Sequence, residues 1–221
     1  MSKQLVTNDK PNKLAMNMDN FDRPVIEAED LIIPRILAMA GTSKLVQEGV
    51  AKVGEFRESM NGEIIGTIDK PFEFIPFKFE KLYFTQTMTK KFVRVESYSK
   101  DMPREFTDDK FGECFRMPLY QFFVLLPGNM AMPFILSFKS TSEKAGKKLF
   151  NQMFIHNQLN QLNPAAKVCS MGGKWVENDL GKFIVADVKA VRNSTEDELI
   201  NASKWASTLN VTKAKADEME E

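Results

Sequence analysis

Apolar residues recur at strand spacing along most of this chain, and at helical spacing along a few segments. Strand-like runs lie at 31–37, 55–68, 72–98, 119–126, 133–139, 167–177 and 182–192. The pair 55–59 and 63–68 flanks Asn61-Gly62 and predicts a tight hairpin, because both turn residues accept a positive φ. The run 72–98 predicts a second hairpin with its turn at 87–91. Residues 99–117 are charged and contain Pro and Gly, so they read as a surface loop. Leu119 to Leu126 and Phe134 to Phe138 are apolar almost without break and are assigned to the core, joined by a turn at Pro127-Gly128-Asn129. Residues 178–181 link the last two strands as a short hairpin loop. Pro34 makes the 31–37 run an edge strand or extended arm, and Pro76 bends or edges its own strand.

Helical spacing follows two capping boxes. Ser140-Thr141-Ser142-Glu143 precedes Ala145, Leu149, Phe150, Met153 and Phe154, with Pro164 placing the end of that helix. Thr195-Glu196-Asp197-Glu198 precedes Leu199, Ala202, Ala206 and Leu209. A short helix is predicted at 42–48, closed by Gly49. From Phe72 onward the order is long strand region, strand, strand, helix, strand, strand. That order predicts a mainly β, α+β fold: an OB-fold-like five-stranded barrel with an added N-terminal hairpin and a C-terminal helix. The division is a flexible arm at 1–28, a single OB-like domain with its extension at 29–210, and an acidic tail at 211–221.

Two cysteines, Cys114 and Cys169, do not make a secreted disulfide framework, so a reducing interior is expected. The N-terminal residues lack the apolar core of a signal peptide, and no apolar run reaches the roughly 18–20 residues that span a bilayer. The expected location is the cytoplasm, that of the host cell for a phage-encoded chain.

Catalytic chemistry finds little support. His156 is the sole histidine, which excludes a histidine-based metal cluster, and on a predicted helix it reads as structural or surface. No phosphate-binding loop or nucleophile elbow occurs, and Gly172-Gly173 lacks the strand-to-helix setting of a dinucleotide site. Asp108 and Asp109 are the best pair for a metal-dependent nuclease, but they fall in the charged loop. The chain is therefore expected to be no enzyme and to carry no cofactor or metal.

Charge is uneven although the net charge is zero. Lys70 to Arg192 holds 19 Lys and Arg against 12 Asp and Glu, so a basic centre sits between acidic ends. Within that centre, cations interleave with rings: Lys78, Lys81, Tyr83, Lys90, Lys91, Phe92 and Arg94, then Lys139, Lys174, Trp175 and Lys182. Cations release counterions from phosphates and ring faces stack bases, the two requirements of sequence-tolerant single-strand binding. The plainer reading is that strand rings are core and lysines decorate solvent; Tyr83 and Trp175, each beside lysines, stand out from it. Asp217, Glu218, Glu220 and Glu221 form a tail suited to a basic protein partner.

Five stretches, LIIPRI, GVAKVGEFRESMNGEIIG, PFEFIPFKFEKLYF, FILSFKSTSEKAGKKL and FIVADVKAVRNSTEDEL, resemble bacteriophage OB-fold single-stranded DNA-binding proteins of replication modules. The resemblance covers about 30–210 and rests on turns, caps and strand alternation. It implies a protein that coats single-stranded DNA in phage replication or recombination, with an acidic tail that recruits replication proteins. The alternatives are a non-enzymatic interaction or structural phage protein, and a nuclease.

Overall fold

The computed structural model describes residues 32–178 and 181–219. The arm expected at 1–28 and the tail residues Glu220 and Glu221 lie outside them. Ten strands form one sheet: β1 (Arg35–Ala38), β2 (Glu55–Glu58), β3 (Ile64–Thr67), β4 (Phe72–Thr87), β5 (Phe92–Ser97), β6 (Glu105–Asp108), β7 (Gly112–Leu126), β8 (Asn129–Phe138), β9 (Lys167–Asn178) and β10 (Gly181–Asn193). The helices are α1 (Lys44–Gln47), α2 (Glu143–Phe150), α3 (Asn157–Leu159) and α4 (Glu196–Met219), with a π-helical segment Asn151–His156 joining α2 to α3.

The sheet order is β10-β9-β4-β7-β8-β1-β2-β3, with β5 added on β4 and β6 on β7. Every pairing is antiparallel except β1 on β8. The sheet curls, but its ends β10 and β3 are not hydrogen-bonded to each other. The result is a mixed α+β half-barrel with a C-terminal helix, larger than the five strands expected. At the approach of the two ends, a Cβ on Gly173 would stand 2.8 Å from Ile68 Cγ2 and 2.9 Å from Ile184 Cγ2, so only glycine lets β9 lie this close to the segment after β3.

Strand alternation splits the core in two. On one face Phe72, Phe74, Phe122, Phe138 and Leu136 receive Leu149 of α2 and Met153 of the π segment. On the other, Ile75, Phe77, Phe123, Leu125 and Ile135 receive Ala202 and Leu209 of α4. Phe74, Phe122 and Phe138 have no exposed surface, and burial of each contributes roughly 1.5–3 kcal/mol. Pro76 pairs with Val124 of β7 in the stretch of β4 between its β9 pairing at Phe72–Phe74 and its β5 pairing at Leu82–Gln86, and the register shift between Pro76 and Lys78 is the bend expected of it.

Several expectations need correction. Residues 99–117 are not one loop: β6 and the start of β7 pair there, from Glu105 opposite Phe115 to Asp108 opposite Gly112. β1 is not an edge strand, because it pairs with both β8 and β2; Pro34 stands just before it, and its carbonyl accepts from Ile135 N at 2.8 Å. The first helix forms without the expected box. Ser142 Oγ accepts from Lys139 N at 3.0 Å, and a 3-10 turn occupies Ser140–Ser142. The second box is present as read: Glu198 N donates to Thr195 Oγ1 at 3.3 Å, and Thr195 N to Glu198 Oε2 at 2.8 Å. Both cysteines are unpaired and buried. None of the described helices is long and apolar enough to cross a membrane.

Candidate interaction surfaces

Beyond the half-barrel, β4 and β7 continue outward and gain β5 and β6 as flanking strands, making a four-stranded wing. Its inner face is closed by charge. Glu96 accepts from Thr85 Oγ1 at 2.7 Å, from Arg116 Nε at 2.5 Å and from Arg94 Nε at 3.1 Å. Arg94 NH1 also donates to Asp108 Oδ2 at 2.6 Å, and Asp108 Oδ1 accepts from Lys110 N and Phe111 N. The Arg116 guanidinium lies 3.6 Å from the Phe106 ring centroid. Burial opposes ionisation of Glu96, but the hydrogen bonds from Arg116, Thr85 and Arg94 outweigh it and hold the carboxyl below its ordinary range. The Arg94 hydrogen bond, then the Lys110 backbone amide, does the same for Asp108. Asp108 is thus a clamp for the wing and Arg94, not half of a metal pair with Asp109. Among the described residues no group of three or more His, Cys, Asp and Glu converges as a metal site.

Four of the eight cations expected to meet phosphate, Lys78, Lys81, Arg94 and Lys139, have partners within the fold. Lys78 Nζ lies 3.7 Å from Glu80 and 3.5 Å from the Leu209 carbonyl. Lys81 Nζ stands 3.5 Å above the Tyr98 ring. Lys139 Nζ stands 3.1 Å above the Phe84 ring, and burial, then the like charge of Arg35, lowers its pKa. Tyr83 is 4% exposed and donates to the Ser99 carbonyl at 3.2 Å, so it offers no stacking face. Lys90 and Lys91 are exposed at the β4–β5 turn beside Phe92, which is 60% exposed. Lys174 and Trp175 are exposed on β9. Lys182 is the second residue of β10, and Asp217 and Glu218 lie on the last turns of α4.

These positions do not form one groove. β9 meets β4 only at Phe72–Phe74, whereas β5 meets it at Leu82–Gln86. The eight residue steps from Phe74 to Leu82 correspond to about 26 Å along the strand.

What composition did not reveal is a cleft at the open side of the half-barrel. It encloses about 510 Å³ and is lined by Met39, Phe56, Met171, Trp175, Phe183 and Ile184 among others. Trp175 is 45% exposed there, although Ile184 faces it across the β9–β10 pair. Its walls come from the segment after β1, from Val53–Phe56, and from β9 and β10. A volume of ~300–1,000 Å³ with mainly apolar walls is the usual form of a binding pocket. A pattern search sees Trp175 and Phe183 only as rings beside lysines; the long-range curl that sets them opposite Phe56 is not local information. The wing tip is a further exposed apolar region, with Met88 58%, Phe92 60% and Phe111 44% exposed.

A family model described as "Pam3 phage gp34-like protein" matches residues 6–215. No curated protein and no solved structure matches this chain. The phage origin implied by the sequence resemblance therefore stands, and the expected role of coating single-stranded DNA does not. The matching family is not described as a DNA-binding one. The internal partners of Lys78, Lys81, Arg94 and Lys139 agree with that correction.

Proposed function

The chain belongs to the Pam3 phage gp34-like protein family, and on that premise we propose that it is a non-enzymatic phage protein that works by binding other proteins, in the particle or in its assembly. The cleft carries this reading. An exposed tryptophan at the rim of an apolar cavity is the usual composition of a protein-binding hot spot, where one partner side chain is desolvated on all sides. The wing tip adds a second exposed apolar region of the kind that marks contact surfaces. The half-barrel serves as an OB-like frame, opened at one seam to make the cleft.

The test is mass spectrometry of nuclease-treated phage particles and assembly intermediates. Recovery of this chain at constant ratio to phage structural proteins supports the reading. Its appearance only in DNA-bearing fractions, and its loss on nuclease treatment, contradicts it.

A further inference from the structure

The wing has two faces of opposite character. Its register is unbroken from Lys78 opposite Phe123 to Thr87 opposite Cys114, so alternation assigns each side chain to a face. Thr85, Glu96 and Arg116 share the inner face and its charge network. Leu82, Phe84, Val95, Phe115 and Met117 share the outer face, and Phe92 joins them with its ring centroid 5.2 Å from that of Phe84. Further along the same side of the sheet, α4 covers Phe123 and Leu125. Over the wing, Phe92 and Val95 remain 60% and 40% exposed. Lys139 reaches onto this outer face, where its ammonium stands 3.1 Å above the Phe84 ring. Glu113 follows the alternation of Phe115 and Met117 onto the same face and is exposed near the wing tip. Neither Lys139 nor Glu113 has an oppositely charged partner among the described residues.

This face complements itself. Phe84 pairs with Met117, so the ammonium over its ring lies four residues, or about 13 Å, along β7 from Glu113. A cation and a carboxylate so spaced on an apolar face meet their opposites when the face is turned end for end on a copy of itself. A two-fold axis crossing the strands between Phe115 and Met117 lays Phe92 over the partner's Val95 and Phe115 over the partner's Met117, and brings Glu113 within side-chain reach of the partner's Lys139. Sheets pack face to face in this aligned manner, and a two-fold contact uses the same patch on both subunits. We propose that two copies of this chain pack outer face on outer face at the wing, strands antiparallel, with Glu113 of each copy paired to Lys139 of the other. Four strands at ~4.8 Å and six residues at ~3.3 Å make a face of about 19 Å by 20 Å. That is below the ~800 Å² per partner of a standard interface, so the dimer is weak, with a dissociation constant on the order of 100 µM. The contact extends the protein-binding reading to a second surface and does not rest on the cleft.

The experiment is sedimentation equilibrium of the full chain from about 10 µM to about 1 mM, a range that brackets such an affinity. The wild type should dimerise. Phe92→Ser with Val95→Ser should weaken the dimer by about tenfold or more, since both side chains lie in the contact. Glu113→Lys and Lys139→Glu should each weaken it alone, because each sets like charges opposite one another. Their equimolar mixture restores opposite signs at both pairs and should recover to within about threefold of the wild type. Only a contact that joins these two residues across copies gives that recovery. Trp175→Ala should leave the dimer unchanged, so failure of the cleft reading and failure of this one are separate results. A wild type that stays monomeric, a dimer that survives Phe92→Ser with Val95→Ser, a mixture no tighter than its components, or a dimer lost with Trp175→Ala overturns the proposal. If melting shows Lys139→Glu to be unfolded, the Phe92→Ser, Val95→Ser variant decides.

Discussion

Arg116 and Glu96 reach each other across β4, Nε to Oε1 at 2.5 Å, with their side chains 10% and 17% exposed. The buried Thr85 hydroxyl, on the strand between them, donates to the same oxygen at 2.7 Å. The wing is therefore closed by a charge network where an apolar core would be the simpler solution. Losing one partner leaves the other charge buried and uncompensated. Arg116→Met should cost about 3 kcal/mol, measured by urea unfolding, whereas the double change Glu96→Met, Arg116→Met should cost much less. Equal costs would show that the pair adds nothing beyond packing.

The same carboxylate makes stability depend on pH in a definite direction. Its folded pKa lies below the ordinary value of 4.5, so its contribution is present above that value and is lost as pH falls through the folded pKa. Glu198 adds to this, held low by hydrogen bonds from Arg192 at 2.8 Å. Thermal melts should be level from neutrality down to about pH 5 and fall below it. Glu96→Gln should lower the plateau and make the acid limb shallower.

Gly146 sets the distance between α2 and the sheet. A Cβ there would lie 2.8 Å from Phe138 Cβ and 2.9 Å from Tyr120 Cβ, atoms fixed to the strand backbones. Alanine gains roughly 1 kcal/mol of helix propensity over glycine. The clash exceeds that gain because neither neighbour can swing aside. Gly146→Ala should destabilise by about 1–3 kcal/mol in the same urea assay; a stabilised variant would show that α2 can shift.

The exposed cations of the wing tip should not make a DNA site. Labelled oligo-dT at low salt should show no saturable anisotropy change with the wild type, and Lys90→Ala with Lys91→Ala should leave both that result and the melting temperature unchanged. Tight binding that weakens with salt, lost in the double variant, would reinstate the rejected role.

Local signals were legible in the chain and long-range ones were not. The Thr195 capping box and the alternation of Ile184, Ala186 and Val188 are each decided within a few residues and stand in the structure; the 55–68 hairpin forms too, but around the longer loop 59–63, in which Gly62 and not Asn61 takes the positive φ, rather than the tight turn expected. The paired strands β6 and β7 were hidden because Glu105, Asp108, Glu113 and Arg116 read as solvent-facing, whereas Arg116 is 8% exposed and held by Glu96 and the Pro103 carbonyl. Pro34 pointed to an edge because a proline lacks the ladder N–H; nothing local showed that it stops one residue short of the strand. The candidate nucleic-acid residues carried an ambiguity of the same kind. Lysine beside a ring has one pattern whether it faces phosphate or, like Lys81 over Tyr98, a ring of its own fold. The cleft was invisible because Phe56 and Trp175 come together only when the sheet curls.

The central claim is that the cleft holds a protein partner. It is tested most directly by affinity capture of the full chain from phage-infected cells, after nuclease treatment, with the wild type beside Trp175→Ala, Phe183→Ala. Both forms should melt within a few degrees of each other, since substitutions of partly exposed side chains cost little. The account predicts that a phage-encoded protein is recovered with the wild type in fixed proportion and is lost from the double variant. Equal recovery with both forms, or recovery that disappears with nuclease, would contradict it.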